Sequence, residues 1–307
     1  VSWKASLGYG TPNDKINQGK VTPVKKIDRG IQFVQANIDR FRCLVCNQAY
    51  VTIDGHSLCC PNGHQVDFSK KGTLYFLTHQ VASEYDANML AARRRVLQAG
   101  FFGPIVQAIN AALPKTAQRI LDIGSGEGTP LADLLTMHAN SEDVGIGFDI
   151  SKDGVNLATQ LTTTDSYCVA DLAQLPFTDG AFTAIMDVFS PSAYQEFERV
   201  LAPGGQLLKI VPNPEYLVEL RHLLFKPTDR QYQYDNQRVL DLFAQHYPTA
   251  KRQRIQYQVA LDNIDFNDLL VMTPLHWGAD AEQLATAKRQ GLTKITVDVS
   301  LLTMQKG

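Results

Sequence analysis

A chain of 307 residues, 44% of them hydrophobic, is long enough to bury one full core and carry a small accessory module besides. No run of about 18 apolar residues occurs, and the start lacks the basic, apolar, small-residue order of a secretory signal; this predicts a cytoplasmic protein without a membrane partner. The net charge of −2 excludes a wholesale polyanion binder, yet residues 1–80 carry ten Lys/Arg against five Asp/Glu, so nucleic acid, if bound, is met first by the N-terminal part.

Residues 1–30 are polar and show no sustained apolar period, which predicts a poorly ordered leader, taken to end at residue 38 where the next module begins. A compact Cys/His module follows over 39–80, with four of the five cysteines falling between Cys43 and Cys60. Cys43-Leu-Val-Cys46 and Cys60-Pro-Asn-Gly-His64 are two short chelating hairpins. Four N/S ligands in this form suit a closed, tetrahedral, structural zinc site on Cys43, Cys46, Cys60 and His64, in a zinc-ribbon-like fold. Cys59 could replace Cys60, but Pro61 and the spacing to His64 favour Cys60; His56 is expected at the surface.

The remainder, 81–307, reads as an α/β domain. Asp86–Leu97 has helical spacing and carries Arg93, Arg94 and Arg95 in a row, so the three cannot share one face. Between Arg119 and Pro212 the apolar runs RILDIG, VGIGFDI, SYCVA, FTAIMDVF and QLLKIVP alternate with helix-like stretches, the pattern of βαβ units and a parallel sheet. After Pro214 come helical candidates at 214–225, 236–246, 262–271 and 280–290, and two runs near 254–262 and 294–305 that read as a strand pair closing the sheet edge.

Asp122-Ile-Gly-Ser-Gly-Glu-Gly128 sits directly after the first strand and ahead of a helix. Gly124, Gly126 and Gly128 let the backbone turn sharply and let a ligand approach the main chain. A dinucleotide loop spaces its third glycine one residue later, and here Glu127 sets a negative charge where a pyrophosphate would lie. S-adenosylmethionine carries no phosphate, and its cationic end suits Asp122 and Glu127. Asp149 closes the next strand, where a carboxylate can accept both ribose hydroxyls, and Asp171 closes the one after, within reach of an adenine amino group; Ile150 and Leu172 beside them belong to the same candidate set.

These stations, with Asp171-Leu-Ala-Gln-Leu-Pro-Phe177 and Arg199-Val-Leu-Ala-Pro-Gly-Gly205, resemble the Rossmann-like class of S-adenosylmethionine methyltransferases, which implies a seven-stranded, mostly parallel sheet. Gln65-Val-Asp67-Phe68, Lys71-Gly72, Asn88-Met-Leu-Ala-Ala-Arg-Arg94, Gly100-Phe-Phe-Gly-Pro104, Val188-Phe-Ser-Pro191 and Met272-Thr-Pro-Leu-His-Trp277 narrow the resemblance to bacterial 23S rRNA (guanine-N1-)-methyltransferases of the RlmA type, over roughly 41–305. The stretch at Asp187 looks closer to the Gram-positive, tylosin-resistance branch. Phe102 stands where the family commonly has a tyrosine near the cofactor, so it keeps the stacking ring without the hydroxyl.

The resemblance implies methylation of a guanine N1 in a hairpin loop of 23S rRNA, with Tyr216 and Leu217 also lining the cofactor pocket. The N1–H is a weak acid whose proton must leave, and Asp187, at the tip of the fourth strand, is the candidate base, with a hydrogen-bonding orienter as its alternative. Arg40, Arg42, Lys70 and Lys71 are the expected phosphate contacts, Arg93 and Arg94 are expected to face the cleft, and a homodimer pairing two zinc modules around one RNA is the expected assembly. A small-molecule methyltransferase and a non-catalytic nucleic-acid-binding protein are the rival readings; the intact Asp122, Asp149 and Asp171 speak against the latter.

Overall fold

A computed structural model describes residues 24–77, 85–161 and 165–307. It opens on helix α1 (Lys26–Ala36), which corrects the expectation of a poorly ordered leader over that stretch. Ile27, Ile31 and Val34 recur at helical spacing and turn toward the core, with Val34 buried. The helix docks closely: a Cβ on Gly30 would meet the carbonyl oxygen of Gly72, which itself holds a positive φ of 78°.

Strands β1 (Thr52–Asp54), β2 (Ser57–Cys59) and β3 (Gln65–Asp67) form a small antiparallel sheet. The chain then leaves it, and the two-residue β4 (Leu74–Tyr75) pairs with the main sheet. Helices α2 (Ala87–Gln98) and α3 (Gly103–Ala112) lead into β5 (Arg119–Ile123). Asp86 caps α2 by accepting the Met89 N–H at 2.7 Å.

The alternation read from sequence follows: α4 (Thr129–His138), β6 (Val144–Asp149), α5 (Lys152–Ala158), β7 (Ser166–Val169), β8 (Phe182–Val188), α6 (Tyr194–Val200) and β9 (Leu201–Pro212). The C-terminal part supplies α7 (Val218–Leu224), α8 (Gln237–His246), β10 (Lys251–Ala260), α9 (Phe266–Val271), α10 (Ala281–Gln290) and β11 (Lys294–Gln305). The main sheet runs β10-β11-β9-β8-β5-β6-β7-β4. Neighbours from β9 to β4 are parallel, while β11 and β10 are antiparallel additions. The seven strands expected of the methyltransferase class are present, and β4 from the N-terminal segment adds an eighth.

Alternate residues of each strand pack on opposite faces. Ile120, Met186 and Leu208 face the layer holding α2 and α3, whereas Leu121, Ile185 and Leu207 face a second layer reached by the zinc-module residues Phe41, Tyr50, Leu58, Phe68 and Phe76. Phe41 meets Phe177 at 5.7 Å between ring centroids, and the backbone is tied at Arg42 N–H to Pro176 (2.9 Å) and Phe76 N–H to Val169 (2.8 Å). Burying an aromatic ring such as Phe41 or Phe177, each at most 1% exposed, contributes about 1.5–3 kcal/mol. The small module therefore shares a core with the larger domain.

The strand order reverses at β5, whose neighbours are β6 on one side and β8 on the other. A crevice at the carboxyl ends of the strands on either side of such a switch is where open α/β sheets bind ligands.

Candidate active site

The crevice holds a cavity of about 570 Å³ lined by Gly124, Gly126, Phe148, Asp149, Ile150, Asp171, Leu172 and residues of the 188–193 turn. Gly124 has φ 63°, and Ser190 crosses directly over it: a Cβ there would lie 2.3 Å from the Ser190 hydroxyl, which donates to the Ile123 carbonyl at 2.8 Å. Asp149 is fixed from both sides, one oxygen accepting from Ser151 N–H (2.7 Å) and the other from Gly126 N–H (2.8 Å). Burial raises its pKa against the pull of those N–H groups. A carboxylate has about four acceptor positions, so two remain for a ligand's hydroxyls. Asp171 has one oxygen on the Ala173 N–H at 2.9 Å and lines the same cavity, with Phe148, Ala170 and Leu172 as apolar walls.

Asp122 stands at the end of β5, 2% exposed, with Oδ2 buried and without a partner among the described residues. Burial, then the charges of Asp187 and Asp149, hold its carboxyl well above the usual range. The hydroxyl of Ser125 is likewise buried without a partner. Neither side chain lines the cavity itself, whose wall passes from Ile123 to Gly124 and Gly126; both lie buried next to it in sequence, and orphaned polar atoms so placed are ones that a donor-bearing ligand could complete.

Several expected site residues lie elsewhere. Glu127 is 0% exposed and points away from the cavity: it pairs with Arg94 Nε at 3.0 Å and accepts from the Thr129 hydroxyl at 2.6 Å, which sets the start of α4. Arg94 is thereby engaged with Glu127, donating to both its side chain and its backbone carbonyl, and lines neither cavity. Gly128 (φ 87°) serves packing, since a Cβ would strike the Tyr167 ring and Ala158. Phe102 is buried at 3% behind the cavity, its ring 5.5 Å from that of Phe189. Asp187, the expected base, is sealed at 0% exposure, accepting from Lys209 Nζ at 2.6 Å and Ser190 N–H at 3.0 Å. Burial lifts it to about 6 although Lys209 opposes the shift. Through the Ser190 N–H it holds the turn that follows β8.

Arg93 does face the crevice. It lines the first cavity and a second one of about 790 Å³, with its guanidinium 5.4 Å from the Phe102 ring centre. The second cavity shares Tyr85, Arg93, Phe189, Ser190 and Pro191 with the first and continues past Tyr216, Leu217, Arg221 and Tyr234. Leu217 therefore belongs to this neighbour and is absent from the first cavity's wall. Lys209, Arg221 and Tyr234 carry no local sequence signal because they come from three separate segments; the left-handed Phe189 (φ 65°) stands at the junction, and the left-handed Leu217 (φ 56°) in the wall of the second cavity.

In the N-terminal module the ligand atoms of Cys43, Cys46, Cys60 and His64 lie within 4.8 Å of one another. Cys46 Sγ to Cys60 Sγ is 3.6 Å, Cys60 Sγ to His64 Nδ1 is 3.4 Å and Cys43 Sγ to His64 Nδ1 is 3.6 Å. A tetrahedron with ordinary zinc bond lengths has edges of about 3.8 Å between sulfurs and about 3.6 Å from sulfur to nitrogen, so the set fits zinc. The Gln48 backbone N–H, then His64 and the other thiols, bring the Cys46 thiol down to about 6 against desolvation, toward the thiolate a metal requires. Cys59 turns aside to the Ser57 carbonyl at 3.4 Å, and the four clustered ligand atoms include Cys60 in its place.

Around the module, Lys70 and Lys71 are exposed, as expected of phosphate contacts. Arg40 pairs with exposed Asp39 at 3.1 Å, and Arg42, its Nε buried without a partner among the described residues, has its pKa lowered by desolvation and by nearby Arg199.

Residues 120–205 match the family described as methyltransferase domain. Over 274 residues the chain is 36% identical to YxjB of Bacillus subtilis, named provisionally as a 23S rRNA (guanine-N(1)-)-methyltransferase, covering 87% of this chain and 97% of the relative. The chain belongs to the 23S rRNA (guanine-N1-)-methyltransferase family. Another member, the 23S rRNA (guanine(748)-N(1))-methyltransferase of Streptomyces fradiae, is 29% identical over 87% of this chain and 97% of its own. A third, from Micromonospora griseorubida, bears the same provisional family name and is 30% identical over 86% and 96%. This family member is thus an S-adenosylmethionine-dependent methyltransferase, and the crevice fits its methyl donor.

Proposed function

We propose that this chain methylates N1 of a guanine in a hairpin loop of 23S rRNA. The observation that carries the reading is the pair of adjoining cavities, one at the strand ends that carry Asp122, Asp149 and Asp171 and the other open beside it across the Phe189-Ser190-Pro191 turn. When bound, S-adenosylmethionine supplies an electrophilic methyl group on a sulfonium. Asp122 receives its ammonium, Arg93 its carboxylate, Asp149 its ribose hydroxyls and Asp171 its adenine amino group, with Ile150 and Leu172 against the ring. Arg93 so moves from the expected RNA contacts to the donor site. Phe102 and Phe189 keep the wall dry, and Asp187 holds the turn between the cavities through Ser190.

Zinc is structural, since four protein ligands leave no open position. Lys70 and Lys71 track the RNA backbone. A homodimer with two modules on one RNA belongs to the same proposal; native mass spectrometry showing only monomer with RNA bound would remove it. Among the described residues no helix is long and apolar enough to cross a membrane, and the reading places the protein with its substrate in the cytoplasm.

The test is transfer of labelled methyl from S-adenosylmethionine to unmodified 23S rRNA and its hairpin fragments, with reverse-transcription stops to locate the product. A single new stop in a loop supports the reading, because N1 methylation blocks pairing. Cofactor binding without RNA labelling would move the assignment to a small-molecule acceptor.

A further inference from the structure

The second cavity contains a cation that the fold leaves unbalanced. Arg221 on α7 is 6% exposed, yet none of its hydrogen bonds goes to a carboxylate. Its terminal nitrogens donate to the carbonyls of Gln231 and Tyr216, each at 3.2 Å, and its Nε is buried without a partner. The guanidinium lies 5.2 Å from the Tyr234 ring centre. Arginines at such depth are almost always paired. One left open in the wall of a cavity is held for a ligand.

The rest of the cavity specifies that ligand's form. Tyr216, whose ring is 5.1 Å from Phe189, and Tyr234 offer flat faces, and Tyr85 and Trp277, at 42% and 44% exposure with ring centres 5.6 Å apart, stand close by, Tyr85 in the wall itself. Among the described lining residues there is no carboxylate; the cations are Arg93, Lys209 and Arg221, and Lys209 is already neutralised by Asp187.

We infer that this cavity receives a guanine turned out of the RNA loop and that Arg221 donates to its O6. The inference rests on the methyl-transfer reading above. Enzymes that act on a base atom extrude the nucleotide into a pocket and stack it on aromatic rings. As N1 gives its proton to water, the electron pair left behind is shared with O6; that pair would then form the N1–methyl bond as the methyl carbon's bond to the sulfonium sulfur breaks, the sulfur taking the C–S pair and leaving as neutral S-adenosylhomocysteine. A fixed guanidinium at O6, shielded from solvent, stabilises that charged base, so activation comes from a cation. Adenine sets an amino group at the same place and would leave the buried Arg221 N–H groups facing donors, which rejects it.

The experiment uses the full chain loaded with zinc and a hairpin fragment bearing 6-thioguanosine at the guanine that the wild type methylates. Irradiation with S-adenosylhomocysteine present should join the sulfur to peptides containing Tyr216–Arg221 or Tyr234; attachment only to the zinc module would overturn the inference. In parallel, Arg221→Gln should lower the single-turnover rate at saturating RNA by about 100-fold with cofactor affinity unchanged, and Arg221→Lys should recover part of it. An unchanged rate overturns the inference. Should Arg221→Gln lose cofactor binding, and so the fold, Tyr234→Ala on its half-buried loop replaces it: a weakened KM for the hairpin and absence of the cross-link support the pocket, and unchanged values refute it. A wild type that binds cofactor and labels no RNA refutes the methyl-transfer reading itself, whereas a wild type that labels RNA with both variants unaffected refutes the pocket alone.

Discussion

Lys209 Nζ stands 2.6 Å from Asp187 Oδ2, and the two side chains are 3% and 0% exposed. Each is the other's counter-charge in a place water does not reach. The pair holds β8 to β9 and, through the Ser190 N–H and carbonyl, fixes the turn that separates the two cavities.

Removing either partner should unfold the protein more readily before it alters chemistry. Asp187→Ala or Lys209→Met strands a buried charge and is expected to cost about 3–5 kcal/mol, read from denaturant unfolding. If Asp187→Ala were as stable as the wild type but slower by roughly 100-fold or more, with cofactor affinity unchanged, Asp187 would return to the reacting centre.

Asp122 is expected to trade stability for binding. Its carboxyl is raised by burial in the folded state, so the stability associated with the protonated form is full below the unfolded pKa and is lost as pH rises through the higher folded value. Asp122→Asn should therefore melt higher than the wild type without cofactor, by on the order of 2–4 °C for each kcal/mol relieved, with a larger gap at pH 8 than at pH 5. Its affinity for S-adenosylmethionine should fall about 10–100-fold as a charged hydrogen bond disappears. Calorimetric titration and melting at the two pH values check both signs; a variant that melts lower at pH 8 contradicts the orphaned-carboxyl reading.

The zinc ligands separate cleanly by substitution. Cys60→Ser and His64→Ala should lose bound metal, measured by elemental analysis, and melt well below the wild type, whereas Cys59→Ser should keep both metal and stability. Metal retained by Cys60→Ser and lost by Cys59→Ser would reverse the ligand assignment.

Lys70 and Lys71 are predicted to act through phosphates alone. The double change to Gln should weaken hairpin binding and flatten the slope of log K against log salt by roughly 0.7 for each single-strand phosphate no longer neutralised, without altering the methylated position. An unchanged slope would take the pair out of the RNA path.

Strand-end carboxylates were legible because order along the chain fixes them: Asp149 and Asp171 end apolar runs, and a parallel sheet brings run ends together. Direction within a loop or helix is another matter. Glu127 shares the glycine loop with Asp122 but is turned back by Arg94 and Thr129. Consecutive positions on α2 diverge by the helical step, so Arg93 reaches the cavities, Arg94 reaches Glu127 and Arg95 reaches Asp268. Helix α1 was not legible, because its many polar residues hid the stripe of Ile27, Ile31 and Val34. Arg221 carried no local signal; its meaning lies in the carboxylate that is missing beside it.

The order of synthesis gives the zinc site a further task. Phe41 and Phe76 bury themselves against a body that includes Phe177 and the Val169 strand, segments made roughly 100 residues later, on the order of 5–20 s at ordinary elongation rates. Throughout that interval the aromatic side chains of the newly made segment have no sheet to cover them. A metal that closes the loops from Cys43 to His64 early needs only residues already present, so a nascent chain deprived of zinc would wait for its partner strands with its stickiest side chains exposed.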